Sequence, residues 1–332
     1  MESPYSIAVF EAREDEMSSF AHAERTYPVR LTYRREALSL DTLNLTAGCQ
    51  AVTTLGESHL DAPLLSALAE KGIRYLSTRT VGYNHIDVKA AARLGIHIAH
   101  SDYDPGSVAD FTLMLMLMAL RHYKQALFRG NANDYSLSGL QGKELRTQTV
   151  GVVGTGNIGR AVIRRLSGWG CRILACGHPK KEVEGLATYV SQKELFQNSD
   201  IITFHVPLAD NTYHLVNTET LSWMKKGVIL INTARGELMD TEVLIEGIES
   251  CKIGALGIDV LEHETGIYHQ DLRSNIIRNR SMAYLRQFPN VTMTQHIAFY
   301  TEEAVAGMVD GGVRSLVEMI EGRPCALEIL AG

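Results

Sequence analysis

Three short segments late in the chain each place a chemically capable side chain just after an apolar run. Arg235 stands in TARGEL after GVILINTA, Glu262 and Glu264 stand in DVLEHE after GALGIDV, and His296 opens HIAFYT after VTMTQ. If the runs are parallel strands, the residues beyond their carboxyl ends converge on one crevice. One cation, one carboxylate and one imidazole would then share an edge. A guanidinium presents a planar fork of donors matched to a carboxylate. A carboxylate beside an imidazole favours its protonated form, which equips the imidazole to donate a proton to a carbonyl oxygen and, in reverse, to take one from a hydroxyl. The set fits reduction of a 2-oxo acid by hydride from a nicotinamide. Each residue alone has a plainer reading, since an arginine after a strand is usually a surface ion pair. Their position behind three successive strands carries the argument.

A carrier site lies upstream. VGVVGTGNIGRAV places Gly154, Gly156 and Gly159 between a β-branched strand and an apolar helix. In that order the first glycine permits the tight turn, the second lets backbone approach a pyrophosphate, and the third lets helix and strand pack closely. The next strand ends in CRILACGHPKKE, where such folds ordinarily carry an acid for the adenine ribose. This chain has Gly177, then His178, Pro179, Lys180 and Lys181. Without the acid nothing repels a 2'-phosphate, and the cations that follow are placed to contact it. The expectation is use of NAD(H) and NADP(H) with weak discrimination, although the lysines equally fit a solvated turn.

The elements needed to hold these residues follow an α/β pattern. The chain has 332 residues, 45% hydrophobic and 21% charged, which suffices for about two domains. SIAVF, AVTTL, IRYLST and IHIAH read as strands of a first open sheet, with LDAPLLSALAEKG and HIDVKAAARLG as helical crossovers closed by glycines. PGSVADFTLMLMLMALRHYKQALF reads as one long helix, with Pro105 near its start and Ser107 as an early cap. TVGVVG, CRILACG, DIITFHV, GVILINTA, GALGIDV and VTMTQHI then read as strands of a second doubly wound sheet, and TEEAVAGMVDGGVRSLVEMIEG as a terminal helix able to pack back on the first.

Composition excludes several partner classes. A net charge of -6 leaves no basic surplus for nucleic acid or an anionic membrane surface. Cys49, Cys171, Cys176, Cys251 and Cys325 are odd in number and lack C-x-x-C spacing, so no disulfide framework or metal site is indicated and a reducing cytoplasm is expected. MESPYSIAVFEARED has no basic and apolar leader, and FTLMLMLMAL is too short to span a bilayer. Cys171 and Cys176 bracket a strand at odd spacing, which puts them on opposite faces as core thiols. His205 is expected to line the cofactor crevice, whereas His59, His97, His122 and His269 are assigned no role.

On these motifs the chain resembles the D-2-hydroxyacid dehydrogenases over nearly its whole length. RTVGYNHID, VGTGNIG, HVPLADNT, INTARGEL, DVLEHE and HIAFYT carry the likeness, in order and in spacing. Within that family it is similar to the D-lactate dehydrogenases, including those of vancomycin-resistance operons. The resemblance implies catalytic roles for Arg235, Glu264 and His296, which leaves Glu262 the lesser candidate. It implies backbone amides at Val81 and Gly82 on the substrate carboxylate, with Tyr103 and Phe299 walling the pocket. For the cofactor it implies Asn157, Ile158, Val206, Pro207, Asn211, Thr233, Ala234 and Asp259.

The resemblance also implies a domain plan. A Rossmann-type dinucleotide-binding domain would span 103–300, and a smaller flavodoxin-like substrate domain would combine 1–102 with a return segment at 301–332. Two chains would pair through the cofactor domains as a homodimer. The all-round apolar helix at 111–120 fits that pairing and an intrachain core equally well. One departure is Gln295, where the family commonly has proline, and a looser histidine loop is the expectation. Rival readings are a phosphoglycerate, glyoxylate or formate enzyme of the same superfamily, and a cofactor-sensing protein like the C-terminal-binding corepressors. Phe299 and Tyr300 favour a small or apolar 2-oxo acid, because a phosphate ester would need added cations at that wall.

Overall fold

Short runs rich in valine, isoleucine and threonine form the frame, as their pleat-filling side chains favour. In the computed structural model, residues 4–178 and 183–330 are described; Pro179, Lys180 and Lys181 of the proposed phosphate turn lie outside them. The chain divides into two units, Met1–Asp104 with Tyr300–Gly332, and Pro105–Phe299.

The first unit runs β1 (Tyr5–Val9), α1 (Met17–Thr26), β2 (Val29–Tyr33), β3 (Ala51–Thr54), α2 (Ala62–Glu70), β4 (Tyr75–Thr78), α3 (Val88–Arg93) and β5 (His97–Ala99). Among the described residues these strands form one parallel sheet in the order β2-β1-β3-β4-β5, the flavodoxin order. The second unit runs α4 (Gly106–Leu120), α5 (Tyr123–Asn131), β6 (Thr149–Val153), α6 (Asn157–Ser167), β7 (Arg172–Cys176), β8 (Thr188–Tyr189), α7 (Gln192–Asn198) and β9 (Ile201–Phe204). It continues with α8 (Thr218–Trp223), β10 (Val228–Asn232), α9 (Thr241–Glu249), β11 (Ile253–Ile258), α10 (Arg280–Gln287) and β12 (Val291–Met293), and α11 (Glu302–Ile320) then belongs to the first unit. The second sheet is also parallel, in the order β12-β11-β10-β9-β6-β7-β8. Its order reverses between β6 and β9, so a ligand crevice belongs at the carboxyl ends of those two strands.

Strand alternation sorts the cores. In the first sheet Ala8, Val52, Leu76 and Ile98 face α2 and α3, whereas Ile7, Val9, Ala51 and Ala99 face α1 and α11. In the second sheet Val150, Val152, Ile173 and Ile201 face α4 and α6, and Val153, Leu174, Ile202 and Phe204 face α7, α8 and α9. Cys171 and Cys176 join opposite clusters as expected, but both are only half-buried. Burial pushes both thiols up, which disfavours the reactive thiolate.

Three elements differ from the sequence reading. β2 was not expected: VRLTY is short and alternates buried with exposed residues at a sheet edge. β8 is a two-residue edge strand below the reach of any pattern. The long helix breaks at His122, whose φ of 50° is left-handed, and α5 sets off in a new direction with no buried residue. Ser107 does not cap it. Pro105 occupies the cap position, and the buried Ser107 hydroxyl has no partner among the described residues.

Candidate active site

The glycine turn joins β6 to α6 at the point where the strand order reverses. Gly154 has φ of 94°, and a Cβ there would run into the carbonyl of His205 behind β9. A Cβ on Gly159 would strike the carbonyl of Gly154, so helix and strand can approach this closely only with glycine. Gly156 differs from both. A Cβ on it would meet nothing within 4 Å, and it heads α6 with no side-chain cap. The protein's own packing explains two of the glycines, and the third leaves open space beside uncapped helix amides. Arg160 steadies the turn, donating to the Thr155 carbonyl at 3.2 Å and to Asn157 Oδ1 at 2.9 Å. Sequence reading passed over that residue.

The end of β7 corrects the reading of Gly177. Its φ is 146°, and a Cβ would sit 2.8 Å from Thr155 Oγ1. A side chain here is strained and requires Thr155 to give way, so Gly177 is not merely an acid site left empty. The next residue, His178, is exposed and its carbonyl accepts the Thr155 hydroxyl at 2.7 Å.

Beyond β9, His205 packs behind the glycine turn. Its ring Nε2 meets Thr203 Oγ1 at 2.9 Å, while Nδ1 is out of solvent with no partner among the described residues. The residue keeps some exposed surface elsewhere, but burial of the ring pushes its pKa down to about 3. Val206 is half-buried, whereas Pro207 and Asn211 lie on an exposed loop tied by the Thr212 hydroxyl.

The exits of the three later strands carry the residues expected to do chemistry. After β10, Thr233 bonds Thr112 of α4 at 2.9 Å and Ala234 N donates to Asn232 Oδ1 at 3.0 Å. Arg235 is half-buried and donates from Nη1 to the Ala234 carbonyl at 2.6 Å. It has no carboxylate partner among the described residues, so the surface ion-pair reading fails. After β11, Asp259 is fully buried and accepts from Thr294 Oγ1 at 2.5 Å, Ile297 N at 3.0 Å and Ala298 N at 2.7 Å. His296 N reaches the Asp259 carbonyl at 2.8 Å. The backbone around Gln295 is thus bonded on both sides, and proline is not needed to hold it.

The choice between the two acids is made by geometry. Glu264 Oε1 meets His296 Nδ1 at 2.6 Å, and its Oε2 accepts Leu261 N at 2.8 Å. Glu262 turns away to His214 Nε2 at 2.7 Å and to Thr241, whose N and Oγ1 donate at 2.8 and 2.5 Å. Burial would raise its pKa, but the Thr241 and His214 hydrogen bonds outweigh burial and hold the carboxyl below the usual range. His269, assigned no role from sequence, belongs to the site. Its Nε2 lies 3.0 Å from the His296 carbonyl, and its ring centroid is 6.0 Å from that of His296 and 6.3 Å from that of Phe299. A lone histidine in a loop carries no periodic signal that would have found it.

The profile of the D-isomer specific 2-hydroxyacid dehydrogenase NAD-binding domain matches residues 113–298, more than half of the chain. The chain belongs to this family. It is 40% identical over 315 residues to a D-specific alpha-keto acid dehydrogenase of Enterococcus faecalis, covering 95% of this chain and 97% of that one. It is 38% identical over 316 residues to an aromatic 2-oxoacid reductase of Clostridium sporogenes, covering 94% and 95%. A D-lactate dehydrogenase structure from Treponema pallidum superposes with a TM-score of 0.89 at 29% identity, covering 98% of this chain and all of that one. As a D-2-hydroxyacid dehydrogenase the chain carries the family's NAD-binding domain in its second unit. The open space at Gly156 fits the pyrophosphate of such a cofactor.

The remaining expected site residues of this dehydrogenase lie in the first unit. Val81 and Gly82 follow β4, where Thr80 Oγ1 donates to the Gly82 carbonyl at 2.7 Å. Beneath them Arg79 and Glu16 form a fully buried pair, Nε to Oε1 at 2.8 Å, and Arg79 also donates to the Phe10 carbonyl at 3.0 Å. Tyr103 is half-buried beside Gly307 of α11.

His205 generates a stability prediction. Because its folded pKa lies below the ordinary value of 6.5, the folded and unfolded states bind protons equally above that pH, and only the unfolded state gains one between 6.5 and about 3. Stability contributed by the neutral ring is therefore complete above 6.5 and is lost as pH falls. His205→Phe should flatten the decline of the urea midpoint between pH 6.5 and 4, by up to about one proton in the linkage slope. Parallel curves for the two proteins would contradict this.

Proposed function

We propose that the protein reversibly reduces a small or apolar 2-oxo acid to the D-2-hydroxy acid. The 2.6 Å contact between His296 Nδ1 and Glu264, beyond the ends of neighbouring strands, carries this reading. Because the carboxylate can only accept, Nδ1 bears its hydrogen, which leaves Nε2 to give a proton to the carbonyl oxygen or to take one from the alcohol. Arg235 keeps guanidinium donors available for the substrate carboxylate. Backbone amides at Val81 and Gly82 are assigned a second hold on that carboxylate, and Tyr103 and Phe299 the pocket walls. When bound, a reduced nicotinamide supplies the hydride. The relatives' names span alpha-keto and aromatic 2-oxo acids, and Phe299 beside His296 suits an apolar substituent.

For the cofactor we assign Gly154, Gly156, Asn157, Ile158 and Gly159 to the pyrophosphate turn, His178 to the ribose side, and Val206, Pro207, Asn211, Thr233, Ala234 and Asp259 to the remaining length. Lacking an acid after β7, the enzyme is proposed to accept NADPH as well as NADH. The chain is further read as a homodimer. α4 is largely committed to its own core through Val108, Ala109, Leu115 and Met116. Support for pairing moves to the next segment, where Phe128 is 77% and Leu137 86% exposed beside Tyr123, Leu127 and Tyr135. The free cysteines support a reducing, cytoplasmic setting, and among the described residues no helix is long and apolar enough to cross a membrane.

A steady-state panel of pyruvate, 2-oxoisocaproate and phenylpyruvate tests the reaction. His296→Ala should lower the best rate by about a hundredfold or more, and Arg235→Lys should weaken oxamate binding because a point charge cannot reproduce the fork. Wild-type rates in both variants would refute the assignment. The ratio of kcat/KM with NADH to that with NADPH tests the cofactor reading. A ratio near unity is expected, and His178→Asp should disfavour NADPH by about 1 to 3 kcal/mol, whereas a hundredfold wild-type preference for NADH rules out dual use. Light scattering should give a dimer that Phe128→Asp splits. A wild-type monomer at micromolar concentration would end the pairing proposal.

A further inference from the structure

Glu262 is the acid that the catalytic pair leaves over, and its surroundings give it separate work. Its carboxylate is nine-tenths buried and binds three donors from two other segments: Thr241 N and Oγ1 at the head of α9, and His214 Nε2 from the loop after β9. Those segments also bond to each other. His214 N donates to the Glu237 carbonyl at 2.8 Å, Val216 N to Leu238 O at 3.0 Å and Asp240 N to Val216 O at 3.0 Å. Gly236, next to Arg235, lies so close to the Leu261–Glu262 peptide that a Cβ would collide with it. His214 itself is held by a stacked Tyr213 ring at 4.0 Å and by Asp240, whose Oδ2 lies 3.6 Å from its Nδ1.

We propose that the His214–Glu262 pair is a positioning tie that holds the segment bearing Arg235 against the segment bearing Glu264, and fixes the 207–214 loop to both. This inference rests on the roles given above to Arg235 and Glu264. Neither member of the pair touches the imidazole of His296. Arg235 is two residues before Glu237, where the strip that His214 and Val216 grip begins, and Glu264 is two residues beyond Glu262. With the tie cut, the mostly buried carboxylate loses one of its donors, and the three loops lose a common anchor. The effect should therefore appear as misplacement of the guanidinium relative to the Glu264–His296 pair, where a small displacement is costly to rate.

The test separates hydrogen bonding from packing. His214→Phe keeps a ring to stack on Tyr213 but has no donor for Glu262, whereas His214→Gln supplies an N–H. For phenylpyruvate and pyruvate reduction, kcat/KM should fall about tenfold in the phenylalanine variant and stay within about threefold in the glutamine variant. A double-mutant cycle with Arg235→Lys completes it. If the tie acts through Arg235, the His214→Phe penalty should shrink to about threefold or less once the guanidinium is gone. Wild-type activity in His214→Phe, or an undiminished penalty in an impaired Arg235→Lys background, overturns the tie alone. Wild-type activity in Arg235→Lys overturns the functional reading and the tie with it. Thermal midpoints measured alongside distinguish the expected local effect from general destabilisation, since a loss of activity that tracks the midpoint in both His214 variants also counts against the tie.

Discussion

A buried carboxylate with no cationic partner among the described residues holds the His296 loop of the second sheet in place. Asp259 is closed off from water, and an ion so placed is tolerable only with a full set of donors. Among the described residues, the three donors that reach its side chain come from residues 294 to 298, the segment that contains His296. The loop cannot drift without stranding the charge. That constraint lets His296 keep a left-handed φ of 56°, a conformation that costs a residue with a Cβ about 1–2 kcal/mol. From that backbone the ring reaches Glu264, which is itself held by the Leu261 amide. Two acids, Asp259 and Glu264, and the amides that bond to them thus aim one imidazole nitrogen.

The same logic of close approach governs the other end of the crevice. β6 and β9 are the strands between which the order reverses, and their exits are brought together by glycines that admit no side chain. Gly154 lies against the His205 carbonyl and Gly159 against that of Gly154. Gly156 between them leaves open space at the head of α6. Short strand exits and their hydrogen bonds leave the Glu264–His296 pair little conformational freedom.

Much of this was legible in the sequence because strand, turn and helix impose different periods. The glycine turn and the residues behind β10, β11 and β12 stand at positions that topology alone brings to one edge. What sequence could not decide is also instructive. Glu262 and Glu264 follow the same strand two residues apart, and both could face an imidazole; only the competing pull of Thr241 and His214 sends Glu262 elsewhere. The break at His122 was hidden because a non-glycine residue took the left-handed turn and no glycine or proline marks it in LMALRHYKQALF. His269 and His214 escaped because single polar residues in loops have no spacing to read. Gly177 was recognised as unusual but for an incomplete reason, since its own φ and the nearness of Thr155 were invisible.

That last feature bears on how such a chain can change over time. At Gly177 an acidic side chain is blocked by Thr155, and the Thr155 hydroxyl in turn fixes the His178 carbonyl. A carboxylate at this point requires Thr155 to give way and the backbone dihedral to be reset. Neither intermediate step brings the new contact. The position is therefore epistatically locked, and drift or engineering toward a different ribose contact is channelled to the exposed residue at 178, where one codon change suffices to alter charge without touching the turn.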